Sequence, residues 1–457
     1  MKRLNLKFYA LVATLAFFTA CSSDDNTPVV EEPMAEEPVP DPDPEPEPEP
    51  EPEVVAFKDM ESDWVRLTLM SEGKLEVMQA DSGEIKYTVE EPLVEDARYY
   101  TSNSGRYLTA VDRAGGKVRF FDSGIVNHND HGHEQESRWA NSELNSLVPT
   151  HFTSSGVHML IFNDGDGSIS YINEAQLEIP SYQPETFQLE GTVAHHGVGI
   201  RLNSGNFAVT FQSDNPPNGY EWGPQMVKYV TSEGAVIDDN GGVEVSGIHG
   251  SANNGSYGAF GSTDGVIVVD DQDNIDLIPN AEGLNSESGN WLGTLKGHGG
   301  ADVFFARSSN LGVFMVNPES KSLSNLYSGD DVLGDMFSFD GEYYLVHTAD
   351  DKIRVFDGHT GDPIVDRIVE MADLPELTAK KGASETETLR NMDDPSPVLV
   401  TSNKFLYVLA PNRTQIKVLE IDELKHVHTI ELDAPVESMM KNGFSIEGDQ
   451  DAEHDHD

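Results

Sequence analysis

The chain has few cysteines and few basic residues. Its 457 residues include one cysteine, Cys21, and 29 Lys and Arg against 80 Asp and Glu. A single cysteine excludes an intramolecular disulfide, a Cys-X-X-Cys redox pair and a thiolate zinc site, so a tight metal site must use His and carboxylate ligands. The formal net charge of −51 excludes nucleic acid as a partner, because a polyanion is bound by a Lys/Arg surface. The same charge attracts cations.

The sequence also lacks the motifs of common catalytic machinery. It contains no Gly-X-Ser-X-Gly nucleophile elbow, no His-Glu-X-X-His helix, no Walker A loop and no Gly-X-Gly-X-X-Gly turn between a strand and a helix. We therefore expect a protein that is not an enzyme. A metal-dependent hydrolase or lactonase is the alternative.

The first residues have the pattern of a bacterial lipoprotein signal. Lys2, Arg3 and Lys7 precede an apolar stretch over 8–18, and small residues lead to Cys21. The stretch is too short to cross a bilayer as a mature helix. We predict that 1–20 is a signal peptide and that a lipid on Cys21 anchors the protein in the outer membrane, facing the periplasm or the cell surface. An ordinary cleaved signal with an incidental cysteine is the alternative.

Two terminal segments have compositions that do not form a packed core. Residues 21–56 consist mostly of Pro, Glu, Asp and Val, and alternate prolines prevent a helix or a sheet ladder. We expect this segment to be a disordered, extended spacer. Residues 441–457 are predicted to be a disordered acidic tail that contains histidines. The body between them, 57–440, is itself strongly acidic.

The body repeats one phrase of two alternating β-rich runs joined by a Gly, Asn or Asp turn. The second run of the phrase occurs eight times, at 74–78, 117–122, 168–173, 226–230, 266–270, 312–317, 352–357 and 415–422. Period-2 patterning predicts strands, and this regular spacing is typical of propeller blades. We predict an all-β propeller of seven or eight four-stranded blades, with eight favoured. A pair of β-sandwiches is the alternative, and 371–392 is the best candidate for a helical insertion.

One group of histidines lies within a few residues of sequence, directly after an early strand. His128, Asp130, His131 and His133 surround a glycine and form a flexible loop that can bind a metal. Neutral imidazole and carboxylate are both zinc ligands, so we predict metal binding here. A solvated polar loop is the alternative. The Asp-Gly repeat at 164–167 does not have the spacing of an EF-hand loop, and we interpret it as a turn.

A second group is spread over consecutive repeats. His151, His196, His249 and His298 follow one another about one blade apart, and each precedes the first strands of its repeat. Equivalent positions of successive blades form an arc around the channel of a propeller, so these imidazoles are predicted to meet at one channel mouth and hold Zn²⁺. Because consecutive strand residues point to opposite faces, only one of His195 and His196 reaches the channel, and the His-Gly pattern selects His196. Core histidines bonded to carbonyl groups are the alternative.

The sequence stretches around these histidines resemble the AztD family of periplasmic zinc metallochaperones. The similar stretches are 120–124, which leads into the histidine loop, and 149–151, 195–198, 248–250, 260–265 and 297–298. The resemblance covers most of the body and implies a β-propeller that binds zinc and passes it to the solute-binding protein of a zinc ABC transporter. It further implies that His128, His131 and His133 form a mobile loop that captures or relays zinc.

We therefore expect a lipid-anchored, monomeric propeller that binds zinc and transfers it by ligand exchange. A flexible loop beside a fixed site would suit such a transfer. An interaction module on the cell surface, without tight metal binding, is a further alternative.

Overall fold

The computed structural model describes residues 56–71, 73–90, 97–128, 131–221, 223–237, 239–370 and 397–446. All of them belong to one compact unit, Val55–Asp457. The predicted signal peptide, Cys21, nearly all of the spacer, the helical candidate at 371–392 and the chain after residue 446 lie outside the described residues. Within the described ranges the helices are two short 3₁₀ turns, Phe57–Asp59 and Glu174–Gln176, and no helix there is long and apolar enough to cross a membrane.

The chain folds into eight antiparallel sheets of four strands, which are the blades of a β-propeller. Blade 1 contains β1 (Val65–Ser71), β2 (Lys74–Gln79) and β3 (Ile85–Glu90), and blade 2 contains β4 (Arg98–Thr101), β5 (Tyr107–Asp112), β6 (Lys117–Asp122) and β9 (Arg138–Asn145), with a hairpin of β7 (Ile125–Asn127) and β8 (Gly132–Glu134) between its last two strands. Blade 3 contains β10 (Pro149–Ser155), β11 (His158–Asn163), β12 (Ser168–Asn173) and β13 (Glu185–Phe187). Blade 4 contains β14 (Gly199–Arg201), β15 (Phe207–Phe211), β16 (Met226–Val230) and β17 (Val236–Ile237).

The remaining blades follow the same order. Blade 5 contains β18 (Ile248–Asn253), β19 (Tyr257–Ser262), β20 (Gly265–Asp270) and β21 (Ile275–Pro279), and blade 6 contains β22 (Thr294–Lys296), β23 (Phe304–Ser308), β24 (Gly312–Asn317) and β25 (Ser322–Tyr327). Blade 7 contains β26 (Val332–Phe337), β27 (Tyr343–Thr348), β28 (Lys352–Asp357) and β29 (Pro363–Ile368). Blade 8 contains β30 (Val398–Thr401), β31 (Phe405–Leu409), β32 (Gln415–Glu420) and β33 (Lys425–Glu431). The last strand, β34 (Ser438–Gly443), completes blade 1.

The prediction of a propeller is confirmed, with eight blades. The eight repeated runs are the third strands of the eight blades, from β2 in blade 1 to β32 in blade 8. The phrase is conspicuous because it is the hairpin of the second and third strands. Second strands such as β15 and β31 are buried along their whole length and form continuous apolar runs, whereas third strands such as β2 and β32 begin with alternating burial.

The apolar core consists of eight clusters, and each cluster joins two neighbouring blades. Successive residues of a second strand point to opposite faces of the sheet, so each blade packs on both neighbours. In β23, Phe304 belongs to the cluster shared with blade 5, whereas Phe305 belongs to the cluster shared with blade 7. In β31, Leu406 faces blade 7 and Tyr407 faces blade 1. These shared clusters hold the ring of blades together.

The ring is closed by pairing the two ends of the body. Strand β34 pairs antiparallel with β1, and Met440 lies opposite Thr68. The strand continues past the predicted propeller boundary at residue 440 to Gly443, and the next residue, Phe444, is buried and stacks on Trp64. The propeller therefore includes the first residues that we had assigned to the tail.

Strand direction defines two faces of the propeller. We call the end at which the first strand of each blade begins the top face, and the opposite end the bottom face. Because neighbouring strands within a blade are antiparallel, the loops before first strands and between second and third strands lie on top. The loops after first strands and between third and fourth strands lie at the bottom.

The closing strand generates a stability prediction. Met439 is fully buried in the cluster that joins blades 8 and 1. We expect Met439→Ala to lower the free energy of unfolding by about 2–5 kcal/mol, because it leaves a cavity at the closure. Urea denaturation measures this change. Ile368→Ala, on an outer strand with 64% of the side chain exposed, is the control and should change it by less than about 0.5 kcal/mol. Equal effects of the two substitutions would contradict the role of the closure.

Candidate metal centre

Three histidines from three consecutive blades meet on the top face. His151 lies in β10 of blade 3, His196 precedes β14 of blade 4, and His249 lies in β18 of blade 5. Their ligand nitrogens all lie within 4.8 Å of one another, and the Nε2 atoms of His151 and His196 are 3.0 Å apart. All three side chains are half-buried, so the cluster is accessible from solvent.

Local irregularities at the start of the first strands turn these side chains towards one another. The pairing of β10 with β11 shifts register between Pro149 and His151, and the pairing of β18 with β19 shifts after Ile248. Gly250 has φ +82°, and a Cβ atom there would lie 2.4 Å from the carbonyl oxygen of Gly293. A bulge of this kind redirects a side chain, and only glycine fits the close approach to blade 6.

Two neighbouring groups fix the orientation of the rings. The Nδ1 atom of His196 lies 2.8 Å from Oδ2 of Asp164, and the Nδ1 atom of His249 lies 2.9 Å from the carbonyl oxygen of Gly293. Both partners are acceptors, so each Nδ1–H donates and each Nε2 keeps its lone pair for the centre of the cluster. Metal-binding histidines in proteins are usually held in this way.

Burial and nearby positive charge keep His151 neutral. Burial is the largest cause that lowers the pKa of His151, to about 4, and the neighbouring His196 lowers it further. The imidazole therefore does not need to lose a proton before it binds a cation at neutral pH.

His195 has a different environment from His196. Its side chain is buried, with Nδ1 2.7 Å from the carbonyl oxygen of Val193 and Nε2 3.2 Å from that of Thr210. The choice of His196 over His195 agrees with the structure, but the argument from strand alternation was wrong. Both histidines lie in the loop before Gly199, where β14 begins, so strand alternation does not separate them.

The structure does not bring His298 to this cluster. In blade 6 the first strand, β22, ends at Lys296, so His298 follows the strand and lies at the bottom face. Its ring packs against Phe337 of blade 7, and its Nδ1 accepts a hydrogen bond from the backbone N–H of Gly300. The expectation of four equivalent histidines was wrong here, because a spacing of one repeat does not reveal at which end of the strand the residue lies.

A second cluster lies in the hairpin β7–β8. His128, His131 and His133 also have ligand nitrogens within 4.8 Å of one another, and the Nε2 atoms of His131 and His133 are 3.1 Å apart. Asp130, predicted with them, lies outside the described residues. The base of the hairpin is held by an ion pair between Glu134 and Arg66, 3.3 Å apart.

The two clusters are at opposite faces of the propeller. The hairpin connects the third and fourth strands of blade 2, a connection that lies at the bottom face, whereas His151, His196 and His249 lie at the top. Strands of six residues separate the faces by roughly 20 Å. The expectation of a flexible loop beside a fixed site is therefore wrong.

Two contributors to the top cluster were not recognised as such in the sequence. Asp164 was interpreted as a turn residue, and it does lie in the turn between β11 and β12, where it also orients His196. Trp291, whose ring lies edge-on to His249 at 6.2 Å between centroids, comes from the loop before β22. A polar turn residue carries no local signal of such a contact, because the partner lies in the next blade.

The chain is similar to a known protein in sequence and in structure. It is 23% identical to the zinc chaperone AztD of Citrobacter koseri over 369 residues, which cover 78% of this chain and 80% of that protein. The crystal structure of Citrobacter koseri AztD superposes with a TM-score of 0.65 at 21% identity, over 84% of this chain and 98% of that one. The structure of apo AztD gives 0.66 at the same identity, over 84% and 99%.

This chain resembles AztD in sequence and in fold. The similarity in sequence agrees with the resemblance predicted from the residues around the histidines, and the structural similarity shows the same propeller fold. No family model matches the chain.

The contact between Asp164 and His196 generates a prediction. We expect Asp164→Asn to weaken zinc binding at the top cluster by about 10- to 100-fold, because the amide no longer holds Nδ1–H of His196 as a carboxylate does. Competition with a chromophoric chelator measures the affinity. The matched control is Asp166→Asn in the same turn, where Asp166 bonds Ser168 and Gln188 instead. An unchanged affinity in Asp164→Asn would contradict the orienting role.

The lowered pKa of His151 predicts how the stability of the metal-free protein depends on pH. In the unfolded chain this histidine takes up a proton near pH 6.5, whereas in the folded protein it does so near pH 4. The unfolded state binds more protons between these values, so the free energy of unfolding should fall as pH falls from about 6.5 to about 4. The pKa of buried His195 and that of His347 are lowered by burial too, and act in the same direction.

Urea denaturation of chelator-treated protein between pH 7.5 and pH 4.5 tests this dependence. His151→Gln should make the free energy of unfolding less dependent on pH, and His426→Gln on the outer strand β33 is the control. If the free energy of unfolding fell more steeply with falling pH in His151→Gln than in the parent protein, His151 would not be the histidine that resists protonation.

Proposed function

We propose that this protein is a zinc-binding metallochaperone of the bacterial cell envelope. It captures Zn²⁺ and passes it to the solute-binding protein of a zinc ABC transporter. The observation that carries the proposal is the convergence of His151, His196 and His249 from three blades, with Nδ1 of two of them held by acceptors. The similarity to the zinc chaperone AztD supports the same function.

The donor set fits zinc. Zn²⁺ in proteins takes imidazole nitrogens at about 2.0–2.1 Å, so two ligand nitrogens of one tetrahedral shell lie roughly 3.3 Å apart. The 3.0 Å between Nε2 of His151 and Nε2 of His196 is close to this spacing, and the ligand nitrogen of His249 lies within 4.8 Å of both. Three protein ligands leave one coordination position for an exchanging ligand. Zinc is the cargo, and transfer by ligand exchange requires no covalent chemistry on the protein.

We assign the two clusters different parts of this function. The top cluster comes from three rigid blades and is the tight site. The hairpin cluster is more exposed and holds zinc more weakly, because a loop must lose conformational entropy when it binds. As the clusters lie on opposite faces, the hairpin captures zinc separately and does not pass it through the protein to the top cluster.

The predicted anchor and spacer bear on where the proposed function takes place. We propose that the lipid on Cys21 holds the protein at the outer membrane and that the acidic spacer keeps the propeller, as a monomer, away from the surface. The acidic body raises the local concentration of cations.

Zinc titration with three proteins tests the assignment of the sites. We expect chelator-treated parent protein to bind one zinc tightly and further zinc more weakly. The variant His151→Gln/His249→Gln should lose the tight site, and His128→Asn/His131→Asn/His133→Asn should lose only the weaker binding. If the parent protein rebinds no zinc, or if the tight site survives in His151→Gln/His249→Gln, the proposal is wrong.

Delivery is tested by mixing the zinc-loaded protein with a metal-free solute-binding protein of a zinc ABC transporter. Direct transfer predicts that zinc leaves faster than it dissociates into excess chelator alone. A rate equal to spontaneous dissociation would contradict delivery and leave zinc binding unaffected.

A further inference from the structure

Two arginines lie beside the top cluster of a protein that has few basic residues. Arg98 is the first residue of β4 in blade 2, and Arg113 lies in the turn between β5 and β6. Both positions are on the top face, next to blade 3 and His151. Positive charge there opposes the binding of a cation, so the presence of two guanidinium groups requires another explanation.

The alignment of β4 with β10 places Arg98 level with His151. The backbone N–H of Asn103 donates to Oγ of Ser154 at 2.8 Å, and the N–H of Gly156 donates to Oδ1 of Asn103 at 2.8 Å. The first strands of neighbouring blades run in the same direction, so the start of β4 lies beside the start of β10. The charge of Arg98 also contributes, after burial and the neighbouring histidines, to the lowered pKa of His151.

The guanidinium group of Arg98 lies at the surface of the propeller. Its side chain is exposed, and it makes no ion pair with the described residues of the chain. A guanidinium group presents several N–H donors in a plane that matches a carboxylate.

Arg113 shares a carboxylate oxygen with the cluster. Its Nη2 lies 3.1 Å from Oδ2 of Asp164, the same atom that accepts from Nδ1 of His196, and its Nε donates to Oγ1 of Thr150 at 3.1 Å. The Arg113 side chain is nevertheless 54% exposed. Arg113 therefore offsets the negative charge of Asp164 and still presents donors to solvent.

Within the part of the chain that the structure describes, a bound divalent cation would leave the top cluster with excess positive charge. The charges of the cation and of two guanidinium groups would exceed the negative charge of Asp164, the described carboxylate that contacts both His196 and Arg113. Among the described residues, the group that holds the metal comprises three histidines and no carboxylate. An anionic ligand would fill the open coordination position and balance the charge at once.

We infer that the top cluster binds a carboxylate group together with the metal, with one carboxylate oxygen on the metal and the carboxylate charge paired with Arg98 and Arg113. This inference rests on the proposed function. Such a carboxylate comes either from a small molecule or from a side chain of the protein that receives zinc. In both cases Arg98 is a specificity-determining residue for the exchanging ligand.

Cobalt spectroscopy tests the inference. The variant His128→Asn/His131→Asn/His133→Asn limits binding to the top cluster, and Co²⁺ serves as the probe metal because its visible absorption reports changes in its ligands. Titration with sodium acetate should change this absorption in a saturable way. The further substitution Arg98→Gln in this variant should weaken acetate binding about tenfold, the loss expected for one charge-assisted hydrogen bond. Adding Arg201→Gln at the end of β14, on the bottom face, is the matched control and should leave acetate binding unchanged.

The outcomes separate this inference from the proposed function. If Co²⁺ itself does not bind, the proposed function fails. If Co²⁺ binds but acetate leaves the absorption unchanged, or if Arg98→Gln binds acetate as tightly as Arg201→Gln, only the carboxylate inference is wrong.

The transfer assay assigns the source of the carboxylate. If the acceptor protein provides it, Arg98→Gln slows zinc transfer and acetate inhibits transfer in the parent protein. If a small molecule provides it, acetate accelerates zinc exchange and Arg98→Gln abolishes the acceleration. A transfer rate that depends on neither acetate nor Arg98 would overturn the inference.

Discussion

The direction in which each strand crosses the propeller decides where every histidine lies. An antiparallel blade alternates between the two faces, so a residue before a first strand and a residue after it are separated by the full length of that strand. His249 and His298 illustrate the consequence, because one begins its strand and the other follows it. Closure of the ring by β34 then fixes the positions of the blades relative to one another.

Within that frame, the top cluster combines rigidity with accessibility. Its rings are held by groups from neighbouring blades, such as Asp164 and the carbonyl of Gly293, so little rearrangement is needed when a cation binds. The three histidine side chains are only half-buried, so the cluster can still be reached from solvent. The proposed function would require both properties, because zinc would have to be held tightly and also released to a partner.

The top cluster and the hairpin cluster lie on opposite faces, and this bears on the proposed transfer of zinc. A hairpin at the bottom face cannot relay an ion to the top cluster of the same molecule. Under the proposed function, each face would therefore exchange zinc separately. Arg98 and Arg113 distinguish the top face further, because they place two guanidinium groups beside the histidine cluster.

The sequence by itself determined the repeat and predicted an all-β propeller of seven or eight blades, because the second strands are apolar runs and the third strands begin with alternating residues. It also predicted that His151, His196 and His249, which are spaced about one blade apart, lie close together. Only the tertiary structure decided that His298 lies on the other face, that the hairpin histidines are far from the top cluster, and that Asp164 orients His196. The physical reason is that these relations depend on strand ends and on contacts between blades. A pattern read along one strand contains neither.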